Sequence, residues 1–272
     1  MSNQIQIPLM GAMGATQLQN NGYKNSATAI AEIVDNSIQA KATDVKITLI
    51  TKYEHNKHRI KDIIIRDNGD GMNKEILSNA LQFQGGTNHG ATSGLGKYGM
   101  GLPASSCNQT KYFEVYSWQT NSEGKKKLLF TYLDLDEVEK NNNPFLNPID
   151  EKKKFEDRIL KNCVTDYSKY NSGTIVFWKD VNRVTWKNIS YLVDHIEKTL
   201  GRKFRYYLSK NQINISINVM SDNGQIFEEV RAYNKNKIKF FDPMFLMDNT
   251  ITKDIAECRE FNGVTSKKYG DG

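Results

Sequence analysis

Two polar side chains with complementary chemistry lie one helical turn apart near the start of the chain. Glu32 and Asn36 are four residues apart in the stretch AIAEIVDNSIQA, residues 29–40, with Asp35 between them. Residues four apart lie above one another on one helix face. An amide oxygen can ligate a hard divalent cation, and a nearby carboxylate can take a proton from water. The pair therefore suits metal-dependent hydrolysis, although a surface helix with a polar side explains this stretch alone more simply.

A second candidate site is the segment DNGDGM, residues 67–72, which follows an apolar stretch expected to be a buried strand. Asp67 can accept a hydrogen bond from the exocyclic amine of a base, and Gly69 and Gly71 let the backbone pass close to a planar ring. Met72 can lie against that ring. For this segment alone, a plain Asp/Gly turn is the simpler alternative. A calcium loop fits less well, because the spacing lacks the following carboxylate ligands.

The third candidate is a glycine-rich loop, GGTNHGATSGLGKYGMG, which spans residues 85–101 and holds 7 of the chain's 19 glycines. Such a density excludes regular structure throughout and lets the backbone approach a ligand closely. The loop leads into a helix predicted at residues 102–108, so its amides and the helix N-terminus can bind phosphates, and Lys97 can add a positive charge. The loop is not a Walker motif, because Tyr98 follows the lysine. A flexible surface lid is the alternative.

The elements that must position these groups follow from hydrophobic periodicity. The helix at residues 29–40 has an apolar stripe opposite its polar side. Strands are predicted at residues 3–9, 44–51, 60–66, 111–118, 127–133, 173–179, 213–219 and 225–230. Further helices are predicted at residues 73–81 with Asn73 as the cap, near residues 155–160, and at residues 186–207 with an interruption at Gly201.

The composition is that of a soluble globular protein, with 272 residues of which 38% are hydrophobic and 25% charged, and a net charge of +6. Cys107, Cys163 and Cys258 are too few and too widely spaced for a disulfide framework or a metal site, which indicates a reducing, cytoplasmic compartment. The N-terminus lacks the pattern of a secretion signal, and no apolar run approaches the roughly 20 residues that span a bilayer. No membrane partner is expected.

The order of the motifs resembles that of the GHKL ATPase superfamily. E-x-x-D-N is followed by a strand ending in D-x-G-x-G, then by G-x-x-G-x-G-L, and then by a strand that opens with Gly-Thr at residue 173. The superfamily includes type II topoisomerases, MutL, the ninety-kilodalton heat-shock chaperones and MORC proteins. The stretch GMGLPASS differs from the MutL pattern and is nearer to MORC-like and bacterial GHKL proteins. The resemblance covers roughly residues 28–219.

The resemblance implies the Bergerat fold, an α+β two-layer sandwich with a mixed, mostly antiparallel sheet and helices on one face. It implies that ATP and Mg²⁺ bind, with Glu32 as the general base and Asn36 as the ligand that joins the metal to the triphosphate. Asp67 would bind the adenine amine, assisted by Thr174 through a water molecule. The glycine-rich lid would wrap the phosphates, and its nearest residues would be Gly94, Gly96, Lys97, Tyr98, Gly99 and Gly101.

The expected organisation is an ATP-binding domain at residues 1–220 and the start of a transducer-like or C-terminal segment at residues 221–272. Relatives in the gyrase, MutL and MORC branches take a lysine for the γ-phosphate from a second domain. The candidates here are Lys253, Lys267 and Lys268, which have no motif support. The chain is therefore expected to be the N-terminal part of a longer protein.

The expected function is slow, Mg²⁺-dependent ATP hydrolysis that drives lid closure and dimerisation of two copies. A histidine protein kinase domain and a regulatory nucleotide-binding module with little hydrolysis are the alternatives. No helical dimerisation segment that carries a phosphoacceptor histidine is visible in the sequence, which argues against the kinase. Basic clusters at residues 125–127, 152–154, 202–205 and 235–239 can contact DNA, although each alone is more simply a solvated face.

Overall fold

The computed structural model describes residues 19–20, 23–54, 56–81, 101–141, 149–152, 154–155, 157–164, 169–222, 227–229 and 237–242. The predicted strand at residues 3–9 and the three candidate lysines after residue 250 lie outside these ranges. The helices are α1 (Ser26–Gln39), α2 (Lys74–Ala80), α3 (Gly101–Gln109), α4 (Leu135–Asn141), α5 (Arg158–Cys163), α6 (Ile189–Lys203) and α7 (Arg205–Ser209). The strands are β1 (Asp44–Glu54), β2 (Lys57–Asp67), β3 (Tyr112–Thr120), β4 (Lys126–Asp134), β5 (Asp150–Lys152), β6 (Gly173–Lys179), β7 (Asn214–Asp222) and β8 (Phe227–Glu229).

The described strands form one sheet in the order β5-β4-β3-β6-β2-β1-β7-β8. Neighbouring strands are antiparallel except β1 and β7, which run parallel. The predicted mixed, mostly antiparallel sheet is therefore confirmed. In the register of β2 with β6, Arg66 pairs with Ile175. The end of β2 therefore lies beside the start of β6, which brings Asp67 next to Thr174.

Helices α1, α3 and α6 cover one face of the sheet and share its main hydrophobic core. The apolar run of β2 serves both faces, since Ile63 and Ile65 belong to the main core and Ile64 to a second one. This follows from the alternation of side chains along a strand. Helix α1 packs its apolar stripe against the main core on this face of the sheet. Its polar side is therefore fixed in the direction away from the core.

A second, smaller core on the opposite face was not predicted. Helix α5 packs there through its apolar side chains, together with residues 155 and 164, over strand residues such as Trp118 and Phe177. Helix α5 begins at Arg158 rather than near residue 155, because the side chain of Asp157 accepts hydrogen bonds from the amides of Ile159 and Leu160. The segment around α5 covers only a small part of this face. The main layer of helices lies on the other face of the sheet, as the Bergerat fold requires.

Helix α6 continues through Gly201, where the sequence predicted an interruption, and ends at Lys203. The glycine is needed for a close approach instead: a Cβ atom there would lie 2.6 Å from the carbonyl oxygen of Lys239. The amide of Phe241 donates to the carbonyl of Gly201 at 3.0 Å, and Ile238 is buried in the main core. Residues 237–242 thus pack against the same body as the preceding strands.

Helix α4 and the three-residue strand β5 were not predicted, because both lie in a charged stretch without clear periodicity. The predicted hairpin of β3 and β4 is confirmed, with Gly124 at φ +76° in its turn. Within the described ranges, no helix combines the length and the apolar character needed to cross a bilayer.

Candidate active site

Helix α1 carries the candidate catalytic residues, and a capping box fixes its start. The side chain of Asn25 accepts from the amide of Thr28 at 2.9 Å, and the hydroxyl of Thr28 donates to the carbonyl of Asn25 at 2.7 Å. The helix therefore begins earlier than the hydrophobic pattern predicted. Thr28, Glu32 and Asn36 follow at four-residue spacing, which places them on one face.

The carboxylate of Glu32 lies between two groups from distant parts of the chain. A Cβ atom at Gly101, the first residue of α3, would lie 2.5 Å from Glu32 Oε1, so the glycine makes room for the carboxylate. On the other side, the Nζ atom of Lys203 lies 3.7 Å from Glu32 Oε2. The hydroxyl of Tyr23 reaches the carbonyl of Gly101 at 3.5 Å. The Glu32 side chain is 22% exposed, so the site is open to solvent on one side.

Burial raises the pKa of Glu32 above its ordinary value, the ammonium of Lys203 opposes this, and the charge of Asp35 adds to it. Lys203 Nζ also lies 3.9 Å from Asp35 Oδ2 and donates to the carbonyl of Ala31 at 3.4 Å. Burial likewise raises the pKa of Tyr23, and the charge of Glu32 adds to the effect. A half-buried carboxylate with a raised pKa is a stronger proton acceptor than an exposed one.

Asn36 is partly buried one turn after Glu32, and none of the described residues hydrogen-bonds with its side-chain amide. The amide oxygen therefore has room for a ligand. Magnesium commonly takes one or two protein ligands and completes its shell with water and substrate phosphates. Among the described residues, no group of three or more His, Cys, Asp or Glu can hold a metal ion alone. Asn36 therefore fits a metal ion that arrives with a phosphate substrate.

Asp67 is 6% exposed at the end of β2. Its Oδ1 accepts from the amides of Gly69 at 2.9 Å and Thr174 at 3.1 Å, and its Oδ2 accepts from the hydroxyl of Ser37 at 3.0 Å. Burial raises the pKa of this carboxyl, and the three hydrogen bonds oppose the shift. Since Oδ2 has a single donor among the described residues, it can accept a second hydrogen bond from a ligand.

The backbone after Asp67 passes too close to its neighbours for larger residues. A Cβ atom at Gly69 would lie 2.7 Å from the carbonyl oxygen of Ala40, where α1 ends. Gly71 has φ +67°, and a Cβ atom there would lie 2.2 Å from the carbonyl oxygen of Trp118. Both glycines are therefore required by contacts within the protein, in addition to the predicted approach to a ring.

Two strands place hydroxyl groups beside this turn. The amide of Met72 donates to Ser117 Oγ at 2.7 Å, and Ser117 Oγ lies 3.2 Å from the hydroxyl oxygen of Thr174. Thr174 is 8% exposed, and Met72 packs at the edge of the main core. The structure thus brings Asp67, Gly69, Gly71, Met72 and Thr174 together at one end of β2, β3 and β6.

Sequence analysis missed Ser37 and Ser117, which hold the Asp67 pocket together. A serine between Tyr116 and Trp118, two large aromatic residues of a mostly buried strand, is a weak signal of a buried polar contact. Gly94, Gly96, Lys97, Tyr98 and Gly99 lie outside the described residues, so their contacts with phosphates remain predictions.

A family model described as "Histidine kinase-, DNA gyrase B-, and HSP90-like ATPase" matches residues 23–174. The matched range covers more than half of the 272 residues and includes both Glu32 and Asp67. The chain belongs to this ATPase family. Membership of this family supports ATP binding. Lys203 lies beyond the matched range, so its contact with Glu32 is not part of the family match.

One similar solved structure is described as the crystal structure of the N-terminal domain of a DNA repair protein. It is 18% identical to this chain, with a TM-score of 0.45, and the match covers 79% of this chain and 54% of that chain. The chain therefore spans about half the length of that relative. No curated protein matches the sequence.

Proposed function

We propose that this chain is an Mg²⁺-dependent ATPase that hydrolyses ATP slowly as a module of a larger protein. The observation that supports this best is the arrangement of polar groups on α1. Glu32 stands against Gly101, Asn36 follows one turn later, and Ser37 donates to Asp67 at 3.0 Å. One rigid helix therefore connects the hydrolytic end of the site with the end suited to a base.

Asp67 recognises the adenine in this proposal. Its Oδ2 accepts a hydrogen bond from the exocyclic amine, since Oδ1 already accepts from the amides of Gly69 and Thr174. The hydroxyl of Thr174 assists through a water molecule, and Met72 lies against the ring. A site that must hydrogen-bond an amine rejects a base that presents a carbonyl there, because the buried acceptor is left unpaired.

At the other end, Asn36 would hold Mg²⁺, and the ion would neutralise charge on the triphosphate. Glu32 orients a water molecule and takes its proton as the oxygen attacks the γ-phosphorus and the bond to ADP breaks. The amides of the glycine-rich lid and the start of α3 bind the phosphates, together with Lys97. The water is placed only when the lid is closed, so turnover is slow.

The wider proposal is a switch. ATP orders the lid, and the ordered lid forms a surface on which a second copy docks, so that γ-phosphate loss releases the dimer. The nucleotide-binding unit is residues 1–220, and residues 221–272 begin the next segment, of which 227–229 and 237–242 pack against it. This proposal also includes that the chain is of the MORC-like subtype and that its basic clusters contact DNA.

Calorimetric titration with ATP, with and without Mg²⁺, tests the core of the proposal. Asp67→Asn is expected to weaken ATP binding about 10- to 100-fold, because a buried, charged hydrogen-bond acceptor is lost. Asp70→Asn is the matched control, since Asp70 is 61% exposed in the same turn and pairs only with Lys41 among the described residues. Asn36→Ala is expected to lose the Mg²⁺-dependent part of the affinity. Native affinity in Asp67→Asn would contradict the proposal.

Radiolabelled ATP separates this reading from the two alternatives. Label transferred to the protein itself would favour a histidine kinase. Single-turnover kinetics with no detectable phosphate release from bound ATP would favour a regulatory module. The ATPase proposal expects free phosphate and no labelled protein.

A further inference from the structure

A cleft of about 600 Å³ lies between the N-terminal half of α1 and the C-terminal half of α6. Its charged lining consists of Lys24, Lys198, Arg202, Lys203, Arg205 and the single carboxylate of Glu32. Neither Asn36 nor any residue of the Asp67 pocket lines it. The cleft is therefore beside the nucleotide site and shares only Glu32 with its proposed machinery. Its volume is in the range of small-molecule sites.

The cations around this α1–α6 cleft are largely uncompensated. Within the described chain, no hydrogen bond or ion pair engages the side chains of Lys24, Lys198 or Arg202. Five like charges around one concave surface repel one another, and a concave wall concentrates their field. A bound anion relieves that repulsion. Guanidinium and ammonium groups in one cleft match phosphate, which accepts forked hydrogen bonds from Arg and point contacts from Lys.

Arg205 lines this cleft, and two contacts hold its guanidinium. It donates to the carbonyl of Arg202 at 3.3 Å and lies over the ring of Tyr206, 4.6 Å from its centroid. Residues 237–242 close one end, because Phe241 lines the cleft and its amide donates to Gly201 at 3.0 Å. The walls of the cleft are therefore two helices that pack on the main core. Lys198 and Arg202 on α6 and Lys24 just before α1 extend from these walls as exposed side chains.

Lys203 belongs both to the cleft and to the surroundings of the candidate general base. Its ammonium is shared among Glu32 at 3.7 Å, Asp35 at 3.9 Å and the carbonyl of Ala31 at 3.4 Å. Tight charge-assisted hydrogen bonds are about 2.7–2.9 Å long. The ammonium is therefore held loosely by several acceptors, and its side chain is 27% exposed on a flexible stem. A strong anion in the cleft can draw it away.

We propose that the α1–α6 cleft binds a phosphate-bearing anion, and that this anion frees Glu32 by competing with it for Lys203. The second half rests on the proposed role of Glu32 as the general base. With Lys203 beside it, Glu32 is a weaker proton acceptor, because the positive charge favours its ionised form. When Lys203 turns to the anion, Glu32 accepts a proton from water more readily. The anion therefore stimulates ATP hydrolysis.

The first test measures binding without hydrolysis. The nucleotide site is saturated with a non-hydrolysable ATP analogue and Mg²⁺, and inorganic tripolyphosphate or a single-stranded oligonucleotide is then titrated calorimetrically in separate arms. Binding in the first arm alone identifies free phosphates, and binding in the second, with a steep loss of affinity as salt rises, identifies a nucleic-acid backbone. Arg202→Ala is expected to weaken the binding about tenfold. Lys187→Ala removes an exposed cation outside the cleft and is the matched control.

The second test measures coupling as the rate of hydrolysis at saturating ATP. The wild-type protein is expected to hydrolyse ATP about fivefold faster when the anion binds, as the loss of one partly exposed ion pair allows. Lys203→Met is expected to hydrolyse at the faster rate without the anion and to gain nothing from it, while Lys203→Arg restores the stimulation. Equal affinity for ATP in all three proteins separates this effect from a purely structural role of the lysine.

Each half of the proposal can be overturned separately. The binding half fails if neither anion binds, or if Arg202→Ala leaves the affinity unchanged. The coupling half fails if the anion binds but Lys203→Met still responds to it. An Arg202-dependent anion site in a protein that hydrolyses no ATP would also overturn the coupling, and would count against the proposed function while leaving the binding site in place.

Discussion

Replacing Gly101 with alanine tests whether the packing around Glu32 matters for hydrolysis. The added methyl group would lie 2.5 Å from Glu32 Oε1 and 3.0 Å from its Cγ, where ordinary contacts are 3.4–4 Å. The carboxylate must therefore retreat by roughly 1 Å, a displacement that can cost about 100-fold in rate when it moves a catalytic group. That factor corresponds to about 2.7 kcal/mol of activation free energy.

The fold should tolerate this change, because alanine is the better helix former and the conflict is with the end of a flexible side chain. The assay is single-turnover phosphate release, with ATP affinity and thermal unfolding measured in parallel. We expect a loss of rate with nearly native affinity and stability. Gly124→Ala is the control, since its Cβ atom would meet nothing within 4 Å and any strain stays in a distant hairpin turn. Hydrolysis by Gly101→Ala at the wild-type rate would show that the position of the Glu32 carboxylate does not limit the reaction.

Three further changes test the framework by urea unfolding. Burial raises the pKa of Asp62 to about 6, so its ionisation destabilises the fold increasingly from about pH 4 and fully above about pH 6. Asp62→Asn should then raise the free energy of unfolding at pH 8 by up to about 3 kcal/mol, and should not raise it at pH 4. A lower free energy of unfolding at pH 8 would contradict the raised pKa of Asp62. Gly71→Ala should cost about 2 kcal/mol or more, because φ is +67° and the methyl group would meet the carbonyl of Trp118 at 2.2 Å. Asn25→Ala should cost about 1 kcal/mol, because the cap of α1 is lost. An unchanged urea midpoint in Gly71→Ala or in Asn25→Ala would contradict the contact described for that residue.

Sequence periodicity predicted α1 and most strands because these elements bury one face or both in the two hydrophobic cores. It placed the start of α1 too late, since the capping box of Asn25 and Thr28 precedes the apolar stripe. It also took Gly201 as a helix break, whereas the glycine accommodates residues 239–241. Helix propensity is a weak prior, and the tertiary contact decides.

The motifs predicted which residue types gather at the site but not what surrounds them. Lys203 reaches Glu32 from α6, and Ser117 supports Met72 from β3. Both contacts join positions far apart in the chain and depend on strand order and helix packing. No local residue spacing predicts these two contacts, so they are found only in the folded structure.

The most direct test of the central claim is single-turnover hydrolysis by Glu32→Ala, with ATP binding measured on the same protein. Removing a general base typically costs 100- to 10,000-fold in rate. The proposed mechanism predicts native affinity for ATP, a loss of that order in hydrolysis, and accumulation of the closed dimer. Hydrolysis at the wild-type rate would contradict it.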